Sequence, residues 1–169
     1  MKSIRTKDLT KLGIMSSLVC FATYLFKIPT IGGYTHLGDC MIFISVLILG
    51  RKKGALAGGM GAAIADLLGG YMQWVLPTFF IKLGMGLIVG LFAEEKLSKH
   101  KYGWLIGAIG GGIFQIIAYT LVKIPLLGWT YALSSLPTLI GQTISGIVIA
   151  AVIVSTLLSS SIINKFKEA

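Results

Sequence analysis

Long apolar runs broken by short basic clusters constrain this chain more than any other feature. A helix crossing the hydrocarbon core of a membrane needs about 17–25 mostly apolar residues. Proline, glycine and charge divide the sequence into six such stretches, over roughly 9–27, 35–50, 54–71, 77–93, 103–122 and 136–160. Only 12% of the 169 residues are charged, whereas soluble domains carry about 25%. The expectation is a single all-α domain spanning 1–169, a polytopic membrane bundle of six transmembrane helices. The uncharged stretch from Ile124 to Asn164 is too long for one crossing. Pro125, Gly128 and Pro137 predict an exterior loop with a short helical piece before the last span.

Basic residues fix the orientation. With six spans, one side holds Lys2, Arg5, Lys7, Lys11, Arg51, Lys52, Lys53, Lys96, Lys99, Lys101, Lys165 and Lys167. The other side holds Lys27 and Lys123, and Lys82 falls inside a span. By the positive-inside rule both termini are cytoplasmic. The net charge of +9 is therefore a topology signal rather than a nucleic-acid footprint. No small-residue cleavage site follows the basic head and apolar body of the N-terminus, so the first helix is expected to be retained. Cys20 and Cys40 lie in apolar runs and are expected to pack as inert thiols.

Small residues recur at spacing four in Gly54/Gly58, Gly86/Gly90, Gly103/Gly107/Gly111 and Gly13/Ser17. Such ridges let helix backbones approach closely in lipid, where the hydrophobic effect does not pull helices together. Most are expected to pack within the bundle. The Gly13/Ser17 pair on the first helix is also a candidate contact for another protein.

Polar residues collect toward one side. At about 1.5 Å per residue, Asp39 lies near the outer end of span two and Asp66 near that of span three. Lys82 sits below Pro77, taken as the top of span four. Gln115, Tyr119 and Gln142 occupy similar depths on spans five and six, and His36, Tyr71, Gln73, Trp74, Trp129 and Tyr131 are assigned to loops above them. A carboxylate in hydrocarbon costs several kcal/mol unless it finds a partner or water. Three arrangements satisfy Asp39, Asp66 and Lys82: a structural ion pair beneath an interfacial aromatic belt, an outward-facing pocket whose polar groups bind a small guest, or a proton or ion relay, against which the apolar inner halves of the helices argue.

No phosphate-binding G-x-x-x-x-G-K-[ST] loop, H-E-x-x-H or G-x-S-x-G motif is present. His36 and His100 are the only imidazoles. No catalytic residue, metal site or cofactor is expected.

The segment from His36 to Glu94, "HLGDCMIFISVLILGRKKGALAGGMGAAIADLLGGYMQWVLPTFFIKLGMGLIVGLFAE", resembles the substrate-binding S components of energy-coupling factor (ECF) vitamin transporters. It is similar to the branch that reads L-G-D, L-G-x-x-x-G-A-x-x-G-G, A-D-L-L-G-G-Y, then a lysine early in span four. The resemblance implies a six-helix prokaryotic protein of the cell membrane that captures a vitamin or precursor near the outer surface. The implied partners are a transmembrane coupling protein (T component) and two cytoplasmic ATPases, against which the S component topples to deliver its ligand. Family members often carry A-x-x-x-A on helix one as the contact for the coupling protein; the matching positions here are Gly13 and Ser17. The resemblance narrows the ligand to hydroxymethylpyrimidine or a pyridoxine-type compound. A small heterocycle would stack on Trp74, Trp129 or Tyr131 while Asp39, Asp66, Lys82 and Gln142 bind its polar edge. An autonomous facilitator or ion-coupled carrier is the alternative. It would transport alone and respond to Asp39→Asn or Asp66→Asn.

Overall fold

The computed structural model describes residues 6–30, 33–96 and 102–159. Lys2, Arg5, Lys99, Lys101, Lys165 and Lys167, used above for orientation, lie outside them, as does His100. Six longer helices and one short one follow the expected order: α1 (Thr6–Leu25), α2 (Asp39–Leu49), α3 (Arg51–Leu68), α4 (Met72–Gly90), α5 (Gly103–Leu127), α6 (Trp129–Ser134) and α7 (Leu136–Ser159). A π-helical turn, Leu91–Lys96, continues α4.

The glycine and alanine content of α3 explains its central place. Its buried face reads Gly54, Ala55, Ala57, Gly58, Gly59, Gly61, Ala62, Ala63, Ala65 and Asp66, so α1, α2 and α4 all pack against it at short range. A Cβ placed on Gly86 of α4 would sit 2.7 Å from the Ala55 Cα, and one on Gly107 of α5 would sit 2.7 Å from the Val89 carbonyl oxygen. These two spacing-four ridges are thus helix–helix contacts, α4 on α3 and α5 on α4. The apolar core around Val19, Ile42, Phe43, Val46, Met85 and Val89 fills the space between α1, α2 and α4.

Three boundaries differ from expectation. Pro77 does not begin α4 but lies inside it; the break is Gly70, at φ 80°. Likewise α5 runs past Pro125 to Leu127 and stops at Gly128, φ 89°. Proline removes one backbone donor near a helix end, a loss the flanking apolar turns tolerate, whereas a left-handed residue ends the helix outright. The third difference precedes α2. Residues 27–36 form an antiparallel hairpin of β1 (Lys27–Thr30) and β2 (Gly33–His36), pairing Lys27 with His36 and Ile28 with Thr35. The helix expected as the second span therefore starts at Asp39 and is only 11 residues long, about 16 Å at helical rise.

Among the described residues, three segments qualify as membrane crossings by length and composition: Met72–Glu94, Gly103–Leu127 and Trp129–Thr156, with Asp39–Leu49 apolar but shorter. The last merges α6 with α7, so the short helical piece expected before the last span is α6. The hairpin, the start of α2, the end of α3, the start of α4, the end of α5 and the start of α7 meet at one end of the bundle. At the opposite end Lys53 pairs with Asp8 at 2.8 Å, and Glu94 accepts the Arg51 backbone N–H at 2.9 Å.

Candidate functional site

Two layers occupy the hairpin end. The lower is a charged network inside the protein. Asp39, first residue of α2, and Lys82 of α4 are both fully buried and form an ion pair at 2.5 Å. The second Asp39 oxygen accepts the side-chain amides of Gln115, at 2.9 Å, and Gln142, at 3.0 Å. Lys82 also donates to Gln115 Oε1 at 2.6 Å. Gln115 donates in turn to Thr143 Oγ1 at 2.7 Å, and that hydroxyl is anchored on the Leu139 carbonyl. The ammonium lies 5.4 Å from the Tyr119 ring centroid, within cation–π range. Four helices, α2, α4, α5 and α7, are tied together here, and both ionic groups are compensated from within.

Above it lies a cavity of about 60 Å³ lined by Thr30, Tyr34, His36, Asp66, Trp74, Thr78, Tyr119, Lys123, Tyr131, Leu139 and Gln142. Helical periodicity aligns most of this wall. Trp74, Thr78 and Lys82 follow at spacing four on α4, as do Gln115, Tyr119 and Lys123 on α5, so each face runs from the buried network up into the cavity. Trp74 and Tyr119 meet at 6.2 Å between centroids, tilted by 57°, and Tyr119 donates to Thr78 at 3.1 Å.

The hairpin closes the cavity with polar contacts. Tyr34 donates to Asp66 Oδ1 at 2.5 Å, and Thr35 donates to Gln142 Oε1 at 3.0 Å. Gln142 therefore joins hairpin, cavity and buried network. Burial, then the charge of Asp66, raises the Tyr34 pKa and keeps its hydroxyl a donor. Burial lowers the His36 pKa to about 4, with the Lys82 charge acting in the same direction and Asp39 opposing it. Because His36 Nδ1 accepts the Gly38 N–H at 3.1 Å, the neutral ring carries its proton on Nε2. At the opposite wall Lys123 donates to Ser135 at 2.9 Å.

Of the residues singled out from sequence, His36, Asp66, Trp74, Tyr119, Tyr131 and Gln142 line the cavity. Asp39, Lys82 and Gln115 lie in the network beneath it. Tyr71 packs its ring 4.9 Å from that of Tyr34 but does not line the space. Gln73 and Trp129 are exposed and contribute no lining. Several residues assigned to loops belong to regular elements: His36 to β2, Gln73 and Trp74 to the first turn of α4, and Trp129 and Tyr131 to α6. Thr30, Tyr34, Thr78, Lys123 and Leu139 were not anticipated. Extending the α4 face one turn above Lys82 finds Thr78, and extending the α5 face one turn beyond Tyr119 finds Lys123; Thr30 and Tyr34 required recognising the hairpin. Gly13 and Ser17 lie on the exposed face of α1, with the Ser17 hydroxyl bonded back to the Gly13 carbonyl at 2.9 Å and open space beside Gly13.

The family model described as "ECF-type riboflavin transporter, S component" matches residues 3–159. The chain is 28% identical over 166 residues to the "Thiamine precursor transporter HmpT" of Lactococcus lactis subsp. cremoris (strain MG1363), covering 96% of this chain and 95% of that protein. It is also 37% identical over 122 residues to an "Uncharacterized protein in gap 3'region" of Pyrococcus woesei, covering 72% of this chain and 80% of that one.

Proposed function

From the premise that the chain belongs to the family of ECF-type riboflavin transporter S components, we propose that it captures a small water-soluble vitamin or precursor at the outer face of a prokaryotic plasma membrane. Six helices cross the bilayer as one domain with both termini cytoplasmic. The chain hands its ligand to a transmembrane coupling protein and two cytoplasmic ATPases by toppling, with the Gly13/Ser17 face of α1 against the coupling protein. The chain itself is a transport subunit rather than an enzyme.

The observation that carries this is the cavity at the hairpin end, remote from the Lys11 and Arg51–Lys53 end and floored by the compensated Asp39–Lys82 network. Its size favours one kind of guest. A cavity of about 60 Å³ holds about four to six waters at roughly 10–15 Å³ each, equivalent to about 120–180 Å³ of liquid. A substituted single ring is of that size. The thiamine-precursor relative supports the same direction, and hydroxymethylpyrimidine, or failing it a pyridoxine-type ring, is the proposed ligand. Trp74, Tyr119 and Tyr131 offer aromatic faces, worth about 1 kcal/mol each beyond buried area.

Native mass spectrometry of the protein from cells grown in rich medium tests this, combined with uptake into proteoliposomes. One vitamin-sized molecule should be retained per chain, and uptake should require the coupling protein and both ATPases. ATP-independent accumulation by the chain alone would refute the proposal in favour of an autonomous carrier.

A further inference from the structure

Two hollows meet at the hairpin end. Besides the cavity, a groove of about 280 Å³ lies between the hairpin and α7, where Ile28, Leu37 and Gly141 face it. Side chains alternate across a strand, and β2 divides the two spaces accordingly: Tyr34 lines the cavity and Thr35 the groove. His36, at the end of β2, and Gln142, on α7, line both. Each is only 7% exposed, so these two side chains lie inside the protein between one space and the other. They are held differently. Gln142 is clamped from two sides, accepting from Thr35 and donating to Asp39. The His36 ring accepts the Gly38 N–H on Nδ1 at 3.1 Å and packs tilted against the Tyr34 ring at 5.6 Å.

We infer that His36 sets the length limit of the guest: its ring closes the cavity against the groove, so the protein takes a single ring and rejects that ring carrying a chain. The inference rests on the proposed function and deepens it, by naming the residue that separates a bare ring from an extended one. Gln142 completes the wall, but its amide also serves the buried network, so truncating it would disturb more than the partition. His36 can be shortened cleanly. Asparagine presents Oδ1 where histidine presents Nδ1, one bond beyond Cγ, so it keeps an acceptor for the Gly38 N–H while removing the outer half of the ring. The groove can be filled independently from the α7 side. A Cβ on Gly141 meets nothing within 4 Å, so Gly141→Leu adds bulk there without collision.

Calorimetric titration of the full-length, ligand-free protein in detergent tests this. The probes are hydroxymethylpyrimidine and pyridoxine, each beside two analogues that carry a butyl chain on opposite edges of the ring. Wild type should prefer a bare ring over both of its chain analogues by about 10- to 100-fold, since misfit of one methylene already costs about tenfold or more. In His36→Asn at least one chain analogue should gain about tenfold or more, while the bare ring stays within about threefold. Adding Gly141→Leu should cancel that gain and leave the bare ring unchanged. Chain analogues that bind H36N no better than wild type overturn the inference, as does a gain that survives G141L. Equal loss of bare and extended rings in H36N would mean that His36 only supports the start of α2, and overturns it too. The wild-type comparison stands alone should H36N fail to fold: a chain analogue bound within about twofold of its bare ring refutes the length limit. Each of these results leaves a ring-binding S component in place. Binding of no probe by wild type counts instead against the proposed function, and removes the inference with it.

Discussion

Replacing Lys82 by methionine isolates the contribution of the buried network. Lys82 and Asp39 are both fully buried, and the substitution removes two hydrogen bonds, to Asp39 Oδ1 and Gln115 Oε1. The Asp39 charge then remains with only the amides of Gln115 and Gln142. Removing one partner of a buried ion pair costs about 3–5 kcal/mol, because the survivor is left uncompensated. At about 2–4 °C per kcal/mol for a chain of this size, thermal unfolding in detergent should fall by roughly 6–20 °C. The double variant Asp39→Asn with Lys82→Met removes both charges and keeps the two amide contacts. It should recover more than half of the lost stability, since an ion pair replaced as a unit is often close to neutral. It should also bind ligand within about threefold of wild type, as neither residue lines the cavity. A Lys82→Met protein as stable as wild type, or a double variant no better than the single, would refute the argument that these charges compensate each other. Loss of ligand binding in a stable double variant would return them to the guest.

His36 gives a pH signature. Its pKa is about 4 in the folded protein against about 6.5 when free, so the unfolded chain binds the extra proton between those values. Stability is complete above about pH 6.5 and declines by roughly 3 kcal/mol as pH falls toward 4. Unfolding followed across that window should show this slope, and His36→Gln should flatten it. Gly107→Leu places a side chain against the Val89 backbone, where only backbone movement makes room; a loss of at least about 1–3 kcal/mol should appear as lower Tm or poor recovery of folded protein. Lys53→Ala, by contrast, breaks only the half-exposed pair with Asp8 and should change stability by less than about 1 kcal/mol.

Much of the bundle was legible because lipid imposes long apolar runs and close approach imposes small residues. The order of helices, the short piece before α7 and the packing role of Gly86 and Gly107 could all be read that way. Boundaries marked by proline could not. Pro77 and Pro125 read as breaks, yet each lies inside a helix, and the stops are the left-handed Gly70 and Gly128. The hairpin escaped because Lys27–Thr30 and Gly33–His36 are only four residues each, too short for alternation to stand out from a loop. Missing it hid Tyr34, the residue that joins the hairpin to Asp66.

Depth along the helices separated polar from apolar ends, but it could not separate Asp39 from Asp66. Both lie near the same end, and both seemed equally suited to Lys82. What distinguishes them is lateral position, which one-dimensional spacing does not carry. Asp39 opens α2 and faces the junction of α4, α5 and α7, where one ammonium and two amides converge on it. Asp66, near the end of α3, faces the hairpin, where Tyr34 donates to it beside the cavity. The same side chain therefore ties four helices together in one place and links the hairpin to α3 in the other. The fully satisfied network also prepares the cavity: four helices locked below it fix the walls, so a guest need not organise them before it binds.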